Sequence, residues 1–215
     1  MKKLKNINVL SILCAVVFVL FLSVCSFNIL FPLKYKNIIK TYAKENDISP
    51  SFIASIIKTE SNFNPAAESK KGAIGLMQIM PSTGKWIYEN YYGEEFDEKM
   101  LYDAEINIKI GVKYLSYLFE KYDDKVTVLA CYNAGEGVVK GWIAGGERLE
   151  KTQILFKETE KYVQNVENAE KIYKLRIRWL SFIILNFLAI LTNCLTQKMF
   201  RFIMIFFNFC YDNFY

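Results

Sequence analysis

Apolar residues fall in three different rhythms along this chain. From Val9 to Phe27 they form an almost unbroken run of nineteen positions, interrupted only by serine and cysteine. From about Lys36 they recur every three or four positions with charged residues between them, the spacing of helices that bury one face. That second rhythm predicts helices over 36–46, 50–61, 81–91, 104–121, 125–133, 135–143 and 157–174, with no alternating blocks of the kind strands require. Ser49 followed by Pro50 reads as an N-cap and first helical residue, and Asp103 as the cap of the fourth of these helices. In the last helix Tyr162, Val163, Val166, Ala169 and Ile172 keep helical spacing. The third rhythm begins at Trp179. Seventeen mostly apolar residues reach Leu195, broken by Asn186, Thr192 and Asn193, and an aromatic-rich run follows from Met199 to Tyr211.

These rhythms divide the chain into an apolar N-terminal segment (1–33), a helical domain (34–175) and an apolar tail (176–215). Roughly 140 residues are enough to bury one core. The N-terminal run is long enough to span a bilayer, and no small-x-small cleavage site precedes the domain, so an uncleaved anchor is expected over a signal peptide. Lys2, Lys3 and Lys5 would hold its start in the cytoplasm and place the domain outside the cell membrane. Cys25 in LSVC resembles a lipoprotein acylation box only weakly, because Val24 is large for its position. The tail reads as short or interfacial membrane segments or as an out-of-frame extension. Arg176 and Arg178 would flank it on the outer side, against the positive-inside tendency.

Charge and composition narrow the chemistry. The formal charge is +5, yet from Lys34 to Lys174 there are 20 basic and 21 acidic residues, so the excess lies at the two ends. This is a topology signal, and no nucleic-acid partner is expected. The chain has no histidine, which excludes Ser-His-Asp and Cys-His hydrolases and His-ligated zinc peptidases. Of the five cysteines only Cys131 lies outside the apolar ends, so the domain has no internal disulfide and no CxxC metal pattern. No phosphate-binding glycine motif occurs, and neither cofactor nor metal is expected.

One acid stands out. Glu60 lies four residues after Ile56 and three after Ile57, on the apolar stripe formed with Phe52 and Ile53. It also closes a helix, where the dipole disfavours a negative charge. From the helix alone it could be an acid emerging into water or a functional group. Partial burial and the dipole would both raise its pKa toward that of a general acid.

From Glu60 onward the chain resembles the soluble lytic transglycosylase family. Three blocks in order carry the likeness: ESNFNPAAESKKGAIGLMQIMPST from Glu60 to Thr83; LYDAEINIKIGVKYLSYL from Leu101, followed by ACYNAGEGVVKGW from Ala130 to Trp142; and KETEKYVQNV from Lys157 to Val166. The resemblance implies a mainly α, lysozyme-like catalytic domain acting on peptidoglycan glycan strands, here behind the N-terminal transmembrane helix expected from the apolar run. It implies that Glu60 is the single general acid and base. The nucleophile would be the C6 hydroxyl of the substrate's own muramoyl sugar, an exception to the paired carboxylates of ordinary glycosidases.

The same resemblance places Ser69, Gln78, Met80, Tyr132, Asn133 and Glu158 at the substrate, and packs Tyr162 near the site. Read without it, Ser69 is a turn residue, Gln78 a cap, Tyr132 and Asn133 a packed phenol and a helix end, and Glu158 part of a solvated face. Met77 and Ile79 are expected in the core. Ser61 could hold the carboxylate or only finish its helix. Glu136 and Ala104 stand where the family often has proline, which should loosen the loop and the helix start. The rivals are a goose-type lysozyme-like hydrolase using water, and a non-catalytic membrane-anchored glycan binder.

Overall fold

The structure is a computed structural model that describes the backbone of residues 9–143 and 148–194 and the side chains of 15–143 and 148–177. Its helices are α1 (Val9–Leu30), α2 (Lys36–Glu45), α3 (Pro50–Ser61), α4 (Pro81–Tyr92), α5 (Ala104–Lys121), α6 (Lys125–Ala134), α7 (Glu136–Ile143) and α8 (Lys157–Cys194). Single 3-10 turns occupy Glu98–Tyr102 and Lys151–Gln153. The helical periodicity of the sequence therefore translates directly, to within a residue at most ends of α2 to α7. The apolar run Met199–Tyr211 lies outside the described residues.

α3 is the centre of the domain. Every residue from Ser51 to Ile57 is buried, so its N-terminal two turns have no solvent face at all. Its main partner is α8, which supplies Val163, Val166 and Tyr173 to the core, while α2 packs beside it and Phe119 of α5 meets Phe52 at 5.7 Å. Burying Phe52, Ile53, Ile56 and Ile57 contributes roughly 1.5–3 kcal/mol each. Pro50 occupies the start of α3 as expected, but the Ser49 hydroxyl does not cap it. That hydroxyl pairs with Ser51 Oγ at 2.7 Å, and the Ser49 carbonyl accepts from Phe52 and Ile53 instead. Asp103 does cap α5, accepting from the Ile106 N–H at 2.9 Å, so Ala104 in place of proline leaves the helix start secure.

α8 runs twenty residues past the expected end at 174, carrying the backbone of the first tail segment as one continuous helix. Where it leaves the domain it is fastened to the end of α1. The Tyr173 hydroxyl donates to the Pro32 carbonyl at 2.7 Å, and the Arg176 guanidinium donates to Asn28 Oδ1 at 2.6 Å and to the Phe31 carbonyl. Arg176 is thus a buried interhelical tie, and not the flanking surface charge its position in the sequence suggests. Among the described residues no helix is long and apolar enough to cross a membrane. α1 itself spans 22 residues, and its described side chains, from Ala15 onward, include Val16, Val17, Phe18, Val19 and Leu20, each at least half exposed.

Glu136 reverses another expectation. In place of loosening the turn after Gly135, it opens α7 and gathers partners from α5, from the residue after α5 and from α7 itself. Its Oε1 accepts from Lys121 and Lys140 Nζ, both at 3.0 Å, and from the Tyr122 hydroxyl at 3.2 Å, while Oε2 accepts from the Tyr117 hydroxyl at 3.1 Å. Burial pushes its pKa up, but the two lysines and Tyr117 outweigh this and hold the carboxyl at about 2. A depressed pKa contributes stability above the unfolded value, lost as pH falls toward the folded one. Glu136→Gln is expected to cost about 1–2 kcal/mol at pH 7, measured by urea unfolding, with the difference from the parent chain shrinking below about pH 4.5. A constant difference across that range would remove the charge network as its cause.

Candidate active site

The site is built where the end of α3 meets the loop from Asn62 to Met80. Asn62 and Phe63 both take left-handed backbone angles (φ 53° and 63°), so the chain turns sharply away from the helix immediately after Glu60 and Ser61. Phe63 is buried and anchors the turn. The loop then folds on itself, with Ile74 and Ile79 exchanging two backbone hydrogen bonds of 3.0 Å around a tight Gly75–Gln78 turn. Met77 and Ile79 are buried as expected, at 0% and 2% exposure.

The group that holds this loop to the domain is Asn107, which the sequence reading passed over. It is fully buried on α5. Its Oδ1 accepts from the Met77 N–H at 2.8 Å, and its Nδ2 donates to the Leu101 carbonyl at 2.8 Å and the Ile74 carbonyl at 3.0 Å. Gly75 makes room for it. A Cβ at Gly75 would lie 2.2 Å from Asn107 Nδ2 and 2.3 Å from the Leu101 carbonyl, and its φ of +80° disfavours side chains in any case. The available signal was an asparagine among Ile106, Ile108 and Ile110, a polar residue on a helix otherwise rich in buried isoleucine.

Glu60 sits at the junction in a largely desolvated position. Burial raises its pKa to about 7, and the approach of the Tyr162 hydroxyl works in the opposite direction. Tyr162 is itself buried on α8, and its hydroxyl makes no well-formed hydrogen bond to any protein atom. The structure thus supports the expected packing of Tyr162 near the acid. The Tyr132 hydroxyl, from α6, is the third member, held far above its ordinary pKa first by burial and then by the Glu60 charge. Its proton goes to the Met77 carbonyl at 2.8 Å, so Tyr132 braces the loop beside the acid.

The other candidates divide by what their polar atoms already do. Ser61 Oγ donates to the Leu76 carbonyl at 2.8 Å, which ties α3 to the loop instead of holding the carboxylate. Ser69 Oγ accepts from the Ala73 and Lys71 N–H groups at 3.0 and 3.3 Å, the side-chain turn its bare sequence suggests. Gln78 adopts a positive φ of 49°, and its Nε2 donates to the Gly75 and Ala67 carbonyls at 2.9 and 3.1 Å. Met80, 40% exposed, precedes the first residue of α4. Asn133 Oδ1 accepts from Thr159 Oγ1 at 2.8 Å, tying α6 to α8. Glu158, next to that buried threonine, is itself exposed.

A carboxyl whose pKa burial raises to about 7, at the helix end beside a hydrogen-bonded loop, can both donate and accept a proton in a single cycle. With that geometry in place, the family described as Transglycosylase SLT domain matches residues 37–155. The chain belongs to this family. The soluble lytic murein transglycosylase of Salmonella typhimurium is 34% identical over 151 residues, 67% of this chain and 23% of that protein. Membrane-bound lytic murein transglycosylase C of Haemophilus influenzae is 38% identical over 116 residues, 49% of this chain and 32% of that protein. Among solved structures, an inactive variant of the lytic transglycosylase Slt of Pseudomonas aeruginosa, with one glutamate replaced by glutamine, aligns with a TM-score of 0.66. It is 32% identical, over 70% of this chain and 25% of that one. The 70-kDa soluble lytic transglycosylase of Escherichia coli gives 0.64 at 34% identity, over 69% and 25%. The chain spans about a quarter to a third of the length of the relatives it matches, and the shared part is the SLT domain.

The SLT loop depends on Asn107 more than on any other side chain outside it. Asn107→Leu strands the buried Met77 N–H and the Leu101 carbonyl, leaves the Ile74 carbonyl with the Ile79 N–H alone, and is expected to lower stability by about 2–5 kcal/mol in chemical denaturation. A loss under about 1 kcal/mol would show that the loop is held by other contacts.

Proposed function

We propose that this chain is a peptidoglycan lytic transglycosylase, cleaving the β-1,4 bond between N-acetylmuramic acid and N-acetylglucosamine. The observation that carries the reading is Glu60, a carboxyl held near neutral pKa by burial at the helix end that opens into the SLT loop. Protonated Glu60 gives its proton to the glycosidic oxygen as the C1–oxygen bond breaks. The muramoyl C6 hydroxyl closes on C1 and loses its proton to the Glu60 carboxylate, which restores the acid and leaves a 1,6-anhydro end. Every proton is accounted for within the pair of enzyme and sugar, so one carboxyl suffices. The inactive glutamate-to-glutamine form of the Pseudomonas aeruginosa relative fits this assignment.

The remaining candidates are proposed at the substrate through the hydrogen-bonding capacity their loop contacts leave over. Ser69 keeps its O–H, Gln78 its Oε1, Asn133 its amide protons and Tyr132 its oxygen lone pairs. Met80 offers an exposed apolar wall, and Glu158 an exposed carboxylate at the start of α8. Tyr162, buried against Glu60 with no other partner for its hydroxyl, restricts the orientation of the acid.

The purified chain is expected to release anhydromuramoyl products from peptidoglycan, read by mass spectrometry, with kcat/KM falling above about pH 7 as Glu60 loses its proton. Glu60→Gln should lower turnover by at least about a hundredfold while leaving glycan binding intact. Products ending mainly in reducing sugars would assign a hydrolase, and unchanged turnover in the variant would reject Glu60.

We further propose that α1 anchors the domain to the cell membrane with its catalytic face outside the cytoplasm. Its 22 residues reach about 33 Å, close to the hydrocarbon thickness, and its described part carries no charged residue. The Haemophilus influenzae relative bears the name membrane-bound. The chain should stay in the membrane fraction after alkaline carbonate washing and leave it only in detergent. Release by carbonate alone would discard the anchor.

A further inference from the structure

α4 carries an aromatic residue that the core does not use. Ile87 and Tyr88 point inward and are buried, whereas Trp86, beside them, is 37% exposed. It is nonetheless held in one pose by three rings meeting it edge to face. Tyr117 lies 4.8 Å from it at 77°, Tyr114 6.3 Å at 87° and Tyr91 6.3 Å at 82°. Tyr91 is 39% exposed, so the two outer rings present a continuous apolar surface. The inner end of the cluster reaches the candidate site, because Tyr114 packs on Tyr132 at 5.5 Å, and Tyr132 feels the Glu60 charge. The base is braced as well, since the Tyr117 hydroxyl is bound to Glu136.

We infer that Trp86 and Tyr91 form a stacking platform for N-acetylhexosamine rings of the glycan strand lying beyond those at Glu60. A β-linked pyranose turns several C–H bonds to one face, and these are drawn to the negative face of an aromatic ring while their apolar area leaves water. A rigid platform suits this task, because little side-chain freedom remains to be lost on binding. The indole is fixed by its neighbours, partly exposed, and joined through Tyr114 to the ring beside the acid. The inference rests on the proposed peptidoglycan substrate and adds to it a length preference, since only strands long enough to reach Trp86 would use the platform.

The test compares Trp86→Ala, Trp86→Tyr and Tyr91→Ala in the full chain on long glycan strands and on a tetrasaccharide fragment. Trp86→Ala is expected to raise KM about tenfold on long strands and less than twofold on the fragment, with kcat unchanged on either. Trp86→Tyr should recover most of the loss, and Tyr91→Ala should show a smaller effect of the same kind. Thermal midpoints matching the parent exclude unfolding, and the tyrosine variant reads the same point if the alanine variant fails to fold. Sedimentation of the Glu60→Gln chain with insoluble peptidoglycan, with and without Trp86→Ala, measures the platform without turnover. Equal changes on long and short substrates, or unaltered sedimentation, would overturn the platform. Absence of cleavage by the parent chain, with sedimentation still dependent on Trp86, would overturn the proposed reaction and leave the platform standing.

Discussion

The loop beside Glu60 exists in its observed form because one buried amide satisfies three backbone groups at once. Asn107 receives the Met77 N–H and donates to the Ile74 and Leu101 carbonyls, joining the loop, the 3-10 turn and α5. A short loop this close to the core cannot leave its polar groups dry, and it has too few residues to pair them all internally. Gly75 is the matching constraint, since any side chain there would displace the amide. Together they place Met77 in the core, and the Met77 carbonyl in turn receives Tyr132. The position of the phenol beside the acid thus follows from an asparagine on another helix.

Glu60 gains its character from the same construction. α3 is buried from Ser51 to Ile57, and its last turn, Lys58 to Ser61, emerges half-buried beside the loop. Desolvation favours the neutral acid, and the pull of Tyr162 is too small to cancel it. The result is a carboxyl able to exist in both states near neutral pH, which a proton-shuttling role requires and an ordinary surface glutamate lacks. The Tyr162 hydroxyl beside it is buried with no partner other than the Glu60 carboxyl, and it lies where the proposed chemistry is centred.

Two charged residues show how tertiary context redefines what a sequence suggests. Glu136 stands in a glycine-flanked turn where proline is common in the family, and by local logic it should relax the backbone. Its four partners from α5, α7 and the residue after α5 make it a tie between helices. Arg176 begins an apolar tail and looks like a topological charge, yet its guanidinium closes the junction between α1 and α8. Neither role is visible in neighbouring residues, because the partners that tie Glu136 to α5 lie 14 to 19 positions away and those of Arg176 lie 145 to 148 away.

Periodicity alone determined the helices of the domain, since a repeat near 3.6 is a property of consecutive residues and needs no partner to be read. The acid was legible for the same reason: Glu60 breaks an apolar stripe, and its three-block context is linear. The absence of histidine likewise narrowed the chemistry without any fold. Tertiary structure decided the rest. That Ser61, Gln78 and Tyr132 hold the loop, that Asn107 is its keystone and that Trp86 is held partly exposed beside the site all depend on contacts between helices distant in the chain. Hydrogen-bond capacity belongs to a residue type, but which partner consumes it is settled only when the helices pack.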